Sequence, residues 1–250
     1  MAQFNGDKSY EHSQQVLELV YQYDSFLDSV TYVADMGCGN GTDAEWWATL
    51  TTRENPPEPR NYITYAVDKD VSKISDDIKK LPNLKVYEGD FEKTILPRPV
   101  DIIWCHNAFQ YALDPIKTLS LWNSFMHENG MLLISMPYTS GFEYNRYFNH
   151  SYSNVYYNHS MIGMMYMLAL NGFDCRDAYF YKNKNNPWMN FAVYKTKIAP
   201  MDPATTTWFD LADKNLVNDS VKESLNRRGY VNQDDVLVTW LDKDYHYLKD

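Results

Sequence analysis

The chain has little cysteine, no excess of basic charge and no long apolar run. Its three cysteines, Cys38, Cys105 and Cys175, are odd in number, widely spaced and contain no CxxC pair. That excludes a disulfide framework and argues against a structural zinc site. The formal charge is −10, with 23 Lys and Arg against 33 Asp and Glu, which argues against gripping a phosphate backbone across a broad surface. The longest nearly apolar stretch, MIGMMYMLAL from Met161 to Leu170, is about half of what spans a bilayer. The opening MAQFNGDKSYEH is polar and acidic, unlike a secretion signal or an Arg-rich transit peptide. There is no internal repeat and no low-complexity tract. These absences predict a soluble, cytoplasmic protein with no membrane partner and no dedicated nucleic-acid surface.

What is present is an alternation of strand and helix patterns. Tyr10 to Leu27 carries Val16, Val20, Tyr23 and Leu27 at helical spacing. TYVADM (Thr31 to Met36) is a β-branched, apolar strand that runs into the glycines of GCGNGTD, and a helix through Ala44, Trp46, Trp47 and Leu50 follows. TTRENPPEPRN, Thr51 to Asn61, holds three prolines and is a loop. YITYAVD ends at Asp68, VSKISDDIKKL supplies a helix, LKVYEGD ends at Asp90, and VDIIWCH spans Val100 to His106. Asp114-Pro115 is a good helix start, with Ile116, Leu119, Trp122 and Met126 on the buried face. Asn129-Gly130 turns into the strand MLLISMP, His159 to Leu170 is helical, and DAYFYKN and NFAVYKT read as final strands. Strands separated by helix-length segments imply βαβ units and hence an α/β fold with a mostly parallel sheet. One domain over 1–199 is expected, with an aromatic insertion at 138–159. Residues 200–250 form a mostly helical extension packed on the same domain, a place for a dimer contact.

The strongest local signal is ADMGCGNGTD, Ala34 to Asp43. A strand that ends in glycines and turns into a helix lets backbone approach a ligand closely and aims free N–H groups at it. The glycines Gly37, Gly39 and Gly41 are spaced G-x-G-x-G, with Asp35 two residues before the first. That departs from the dinucleotide fingerprint G-x-G-x-x-G, and no hydride-transfer constellation is recognisable. An NAD-dependent oxidoreductase is therefore the weaker reading.

The pattern resembles the first motif of class I S-adenosylmethionine-dependent methyltransferases, in particular their broad small-molecule branch. The resemblance implies a Rossmann-like seven-stranded sheet with helices on both faces and S-adenosylmethionine as cofactor. Asp35 matches the acid that helps hold the methionine amino group, and Gly37, Cys38, Gly39 and Gly41 form the turn against it. Asp68 matches the ribose acid, with Lys69 flanking the adenine. Asp90 matches the acid near the adenine amino group, and Phe91 is placed to lie along the ring. VDIIWCHNAFQYALDP is similar to the family's fourth-strand segment, and ENGMLLISMP to its fifth-strand turn. His106 falls where the family approaches both the cofactor methionine and the acceptor.

The likeness is close over Thr31 to Pro137 and looser over Ser160 to Lys195. Two features depart from it: Gln110-Tyr111 replaces a common Glu-His pair, and Thr51 to Asn61 lengthens the interval before the ribose acid. If the acceptor must lose a proton, His106 is the first candidate base, with Tyr138 and Glu143 behind it. No metal cluster is visible. The Asn/Asp-Pro-Pro-Tyr motif of base-amino DNA methyltransferases is absent, and CHNA stands in its place. The segment after the fifth strand, with eight aromatics between Tyr138 and His159, reads as a lid over a small-molecule acceptor or as a satellite core. A catalytically silent binding subunit on the same fold is the remaining alternative.

Overall fold

The computed structural model describes residues 13, 16, 17, 20, 24–137, 159–182 and 188–231. Seven strands form one sheet in the order β3-β2-β1-β4-β5-β7-β6. They are β1 (Tyr32–Met36), β2 (Ile63–Asp68), β3 (Leu84–Glu88), β4 (Val100–His106), β5 (Met126–Pro137), β6 (Phe173–Lys182) and β7 (Trp188–Lys195). The first five pair in parallel, and β7 pairs antiparallel with both β5 and β6. Chain order therefore reverses between β1 and β4, and in open α/β sheets the crevice at the carboxyl ends of such neighbours is where ligands bind.

Alternation along the strands divides the core. Ala34, Met36, Ile103, Cys105, Leu132 and Ile134 face one side. Over them lie α4 (Pro115–Ser124), α5 (Met161–Leu170), α6 (Trp208–Asp213) and α7 (Asp219–Arg228). Val33, Ile102, Trp104, Met131 and Leu133 face the other side. They meet Val16, Leu17 and Val20, Leu27 of α1 (Asp24–Leu27) and Trp47 of α2 (Thr42–Thr49). Both faces are covered, as a parallel sheet requires. No helix among the described residues is long and apolar enough to cross a membrane.

Local capping sets where two helical segments divide, and the structure moves three other boundaries from the sequence reading. VSKISDDIKKL is not one helix but a 3-10 turn, Val71–Lys73, followed by α3 (Asp76–Lys79). Asp70 accepts from the Ser72 N–H and Ser75 from the Ile78 N–H, so each short polar side chain starts its own turn. In the C-terminal extension, Asn218 caps a new helix, separating α6 from α7, and left-handed Gly229 closes α7. Helix α4 starts at Asp114-Pro115 but ends at Ser124, so Met126 is not on its face. Met126 instead opens β5, where it pairs with Val100. Asn129, at φ 61, is an irregularity inside β5 rather than a turn before it. Strand β3 ends at Glu88, leaving Asp90 two residues beyond it.

Candidate active site

The turn after β1 is built on positive-φ glycines: Gly37 at φ 83, Gly39 at φ 54 and Gly41 at φ 83. Gly37 is there for packing, because a Cβ at that position would lie 2.3 Å from the Ala108 Cβ. Gly39 is different: a Cβ there would have no heavy atom within 4 Å. The turn is tied to β2, since Gly37 and Cys38 donate to the Val67 carbonyl at 2.8 and 3.0 Å.

Beside the turn lies a cavity of about 210 Å³. Asp35, Gly37, Cys38, Gly39 and His106 line it, together with Ser13, Asn40, Thr42, Asp43 and Asn107. Asp35 is 2% exposed, and its Oδ2 has no hydrogen-bond partner among the described residues. Burial pushes its carboxyl well above the ordinary range, and the charges of Asp43 and Asp68 push the same way. An orphaned buried acceptor is costly unless a donor arrives, and a carboxylate does best with a cationic one. The methionine ammonium of S-adenosylmethionine meets that need, and the open space over Gly39 admits a ligand against backbone. The residues present fit this cofactor.

Asp68, at the end of β2, accepts from the Gly39 N–H (Oδ2, 2.9 Å) and from the Asp70 N–H (Oδ1, 2.9 Å). It thus braces the turn from behind while its remaining lone pairs stay available. Asp90 caps its own loop by accepting from the Glu92 N–H at 3.0 Å, and its Oδ2 lies 3.3 Å from Lys69 Nζ. Phe91 is buried in the main core, 6.0 Å from Trp122 between ring centroids, and near the place a Gly37 side chain would take. Asp35, Gly37, Cys38, Gly39 and His106 therefore share one cavity, whereas Gly41, Asp68, Lys69, Asp90 and Phe91 are not among the residues that line it. Tyr138, Glu143 and the aromatic segment before His159 lie outside the described residues. So do residues 232–250.

His106 ends β4 with its side chain 7% exposed, and its ring stacks on Trp104 at 5.9 Å and 9°. Burial drives its pKa down to about 3, so the imidazole is neutral. Asn107, left-handed at φ 53, turns the chain over the cavity. Gln110, where the family's Glu-His pair is replaced, donates to Asn107 Oδ1 at 2.7 Å and so takes a local structural part. Cys38, Cys105 and Cys175 are all buried free thiols. Among the described residues no group of three His, Cys, Asp or Glu could hold a metal ion.

The residue missed from sequence is Asp43. It stands in the first turn of α2, accepts from Trp104 Nε1 at 2.9 Å and from the Ser13 hydroxyl, and lies 3.8 Å from His106 Nδ1. Its place inside G-x-G-x-G-x-D was a weak signal, since an acid in a first helical turn is ordinary.

Comparison with known proteins agrees with this fold. The family described as "Methyltransferase domain" matches residues 27–192. Trans-aconitate 2-methyltransferase of Escherichia coli is 26% identical over 127 residues, which is 51% of this chain and 46% of that enzyme. Malonyl-[acyl-carrier protein] O-methyltransferase of Halalkalibacterium halodurans is 28% identical over 115 residues, 43% of this chain and 40% of that enzyme. The chain thus matches about half the length of these curated relatives or less. Among solved structures, the N-methyltransferase NodS from Bradyrhizobium japonicum superposes with a TM-score of 0.55 at 11% identity, over 77% of this chain and 99% of that one. NodS has also been solved in complex with S-adenosyl-L-homocysteine.

Proposed function

The chain belongs to the methyltransferase-domain family, of the class I Rossmann-like fold that uses S-adenosylmethionine, and from that premise we propose that it transfers a methyl group to a small-molecule acceptor. The observation that carries this is the buried, half-unsatisfied Asp35 facing a cavity walled by the Gly37–Gly41 turn. The bound cofactor supplies the chemistry, a methyl group made electrophilic by its sulfonium. The chain's part is to hold, align and dry the site, and alignment alone lowers a barrier by several kcal/mol.

In this reading Asp35 takes the methionine amino group, the Gly39 backbone lies against the cofactor, and Asp68 accepts from the ribose. His106 serves as a neutral hydrogen-bonding wall between cofactor and acceptor rather than as a strong base. An imidazole held near pKa 3 gains little from taking a proton at neutral pH. That suits an acceptor already nucleophilic at neutral pH, such as an ionised carboxylate. Relatives named for trans-aconitate and for malonyl-[acyl-carrier protein] support an acid acceptor. The three buried free thiols suit a reducing compartment, so a cytoplasmic site of action is part of the proposal.

Calorimetry with S-adenosylmethionine, S-adenosylhomocysteine and NAD, followed by label transfer from methyl-labelled cofactor to a panel of small acids, tests it. Binding of the two adenosyl ligands but not NAD, with label transferred, is the expected result. Binding without transfer to any acceptor favours a cofactor-binding subunit. NAD binding alone overturns the reading.

A further inference from the structure

Two carboxylates line the cavity, Asp35 buried and Asp43 partly buried, and among the described residues no Lys or Arg lines it with them. Asp35 comes from β1 and Asp43 from α2, and the Asp43 charge raises the pKa of Asp35. Burial also raises Asp43, whose side chain is 14% exposed. Among the described residues, the other titratable groups beside this pair add no positive charge: Asp68 is acidic, and the Cys38 thiol and His106 imidazole are kept neutral by burial. Among the described residues Asp35 Oδ2 has no donor, which leaves the pair open to a cation brought by a ligand.

We propose that Asp43 is a second cofactor carboxylate, and that Asp35 and Asp43 together make the site select the positively charged sulfonium form over its neutral thioether product. The inference rests on the cofactor reading above. Its chemical basis is the charge of the two ligands. The cofactor carries an ammonium, a sulfonium and a carboxylate, hence one net positive charge. When the methyl–sulfur bond breaks, its electron pair returns to sulfur, and S-adenosylhomocysteine has no net charge. A low-dielectric cavity holding two carboxylates rewards that difference, and charge selection of this kind releases the product after each turnover. Hydrogen bonds from Trp104 Nε1 and the Ser13 hydroxyl hold the Asp43 carboxylate in place, and Asp43 is one of the residues that line the cavity.

The test is competition binding to the full chain with three ligands: S-adenosylmethionine, S-adenosylhomocysteine and sinefungin, which bears an amine in place of the sulfonium. The wild type is expected to bind both cationic ligands at least tenfold more tightly than the thioether. Asp43→Asn keeps an acceptor for Trp104 and removes the charge. It should weaken both cationic ligands about tenfold and change S-adenosylhomocysteine less than threefold. Equal losses for all three ligands would assign Asp43 a purely structural part and overturn the proposal, as would no preference in the wild type.

Should Asp43→Asn fail to fold, wild-type calorimetry in buffers of different ionisation enthalpy decides. Release of more protons with S-adenosylmethionine than with S-adenosylhomocysteine supports the proposal, and equal release overturns it. Failure of all three ligands to bind the wild type removes the cofactor reading itself, a result distinct from equal binding.

Discussion

Gly37 and Gly39 sit two residues apart in one turn, both left-handed, yet the structure assigns them opposite sensitivities. In Gly37→Ala the new methyl would lie 2.3 Å from the Ala108 Cβ, which is fixed to backbone and cannot swing aside. Two costs combine: about 1–2 kcal/mol for a side chain in the left-handed region, and roughly 1–3 kcal/mol for overpacking a filled site. Together they come to roughly 2–5 kcal/mol, which for a chain of this size lowers Tm on the order of 10 °C. At Gly39 the conformational cost recurs but the clash does not, because a Cβ there meets no heavy atom within 4 Å. Gly39→Val should therefore lose only about 1–2 kcal/mol of stability, while its side chain fills the space proposed for the cofactor. Thermal unfolding and calorimetric titration with S-adenosylhomocysteine read the two effects separately. The expected pattern is a destabilised Gly37→Ala and a folded Gly39→Val without measurable binding. Wild-type affinity in folded Gly39→Val, or wild-type Tm in Gly37→Ala, would refute the reasoning.

Three further outcomes are expected. Asp68→Ala should weaken S-adenosylhomocysteine roughly tenfold to a hundredfold, since it removes both a charged acceptor, each such bond worth about 1.5–3 kcal/mol, and the brace on the Gly39 N–H; unchanged affinity would place the ribose elsewhere. Glu92 Oε1 accepts from the Leu113 and Asp114 N–H groups at 2.7 and 3.0 Å, so Glu92→Ala should cost about 1–3 kcal/mol in denaturant unfolding and leave ligand affinity unchanged. Burial lowers His159 to about pKa 4, below its unfolded value near 6.5, so the unfolded chain takes up a proton first and this site's stability is lost as pH falls from about 6.5 to 4. The stability of His159→Gln relative to wild type should thus rise by about 1.4 kcal/mol per pH unit across that window, and a pH-independent difference would rule out a buried neutral imidazole.

Much of this protein was legible in its sequence because the signals are local. Strand β4 runs from Val100 to His106 as its apolar run indicated, since a strand buried on both faces shows as continuous hydrophobicity. Asp114-Pro115 starts α4 for reasons contained in two residues, and Asn171-Gly172 ends α5 because glycine alone takes φ 78 there without strain. The G-x-G-x-G turn with Asp35 before it is of the same kind. The folded chain decided what depends on distant neighbours. Nothing local says that Ala108 presses on Gly37, or that Phe91 is drawn into the core beside Trp122. Helix breaks at Ser75 and Asn218 turned on a balance between side-chain capping and continued helix, a difference of about 1 kcal/mol that hydrophobic spacing does not register. Asp43 shows the division most clearly. As a residue in a first helical turn it is unremarked, but Ser13 lies 30 positions before it and Trp104 lies 61 after it. Only the sheet, by bringing β4 beside β1, converts that acid from a surface charge into a partly buried neighbour whose charge acts on Asp35.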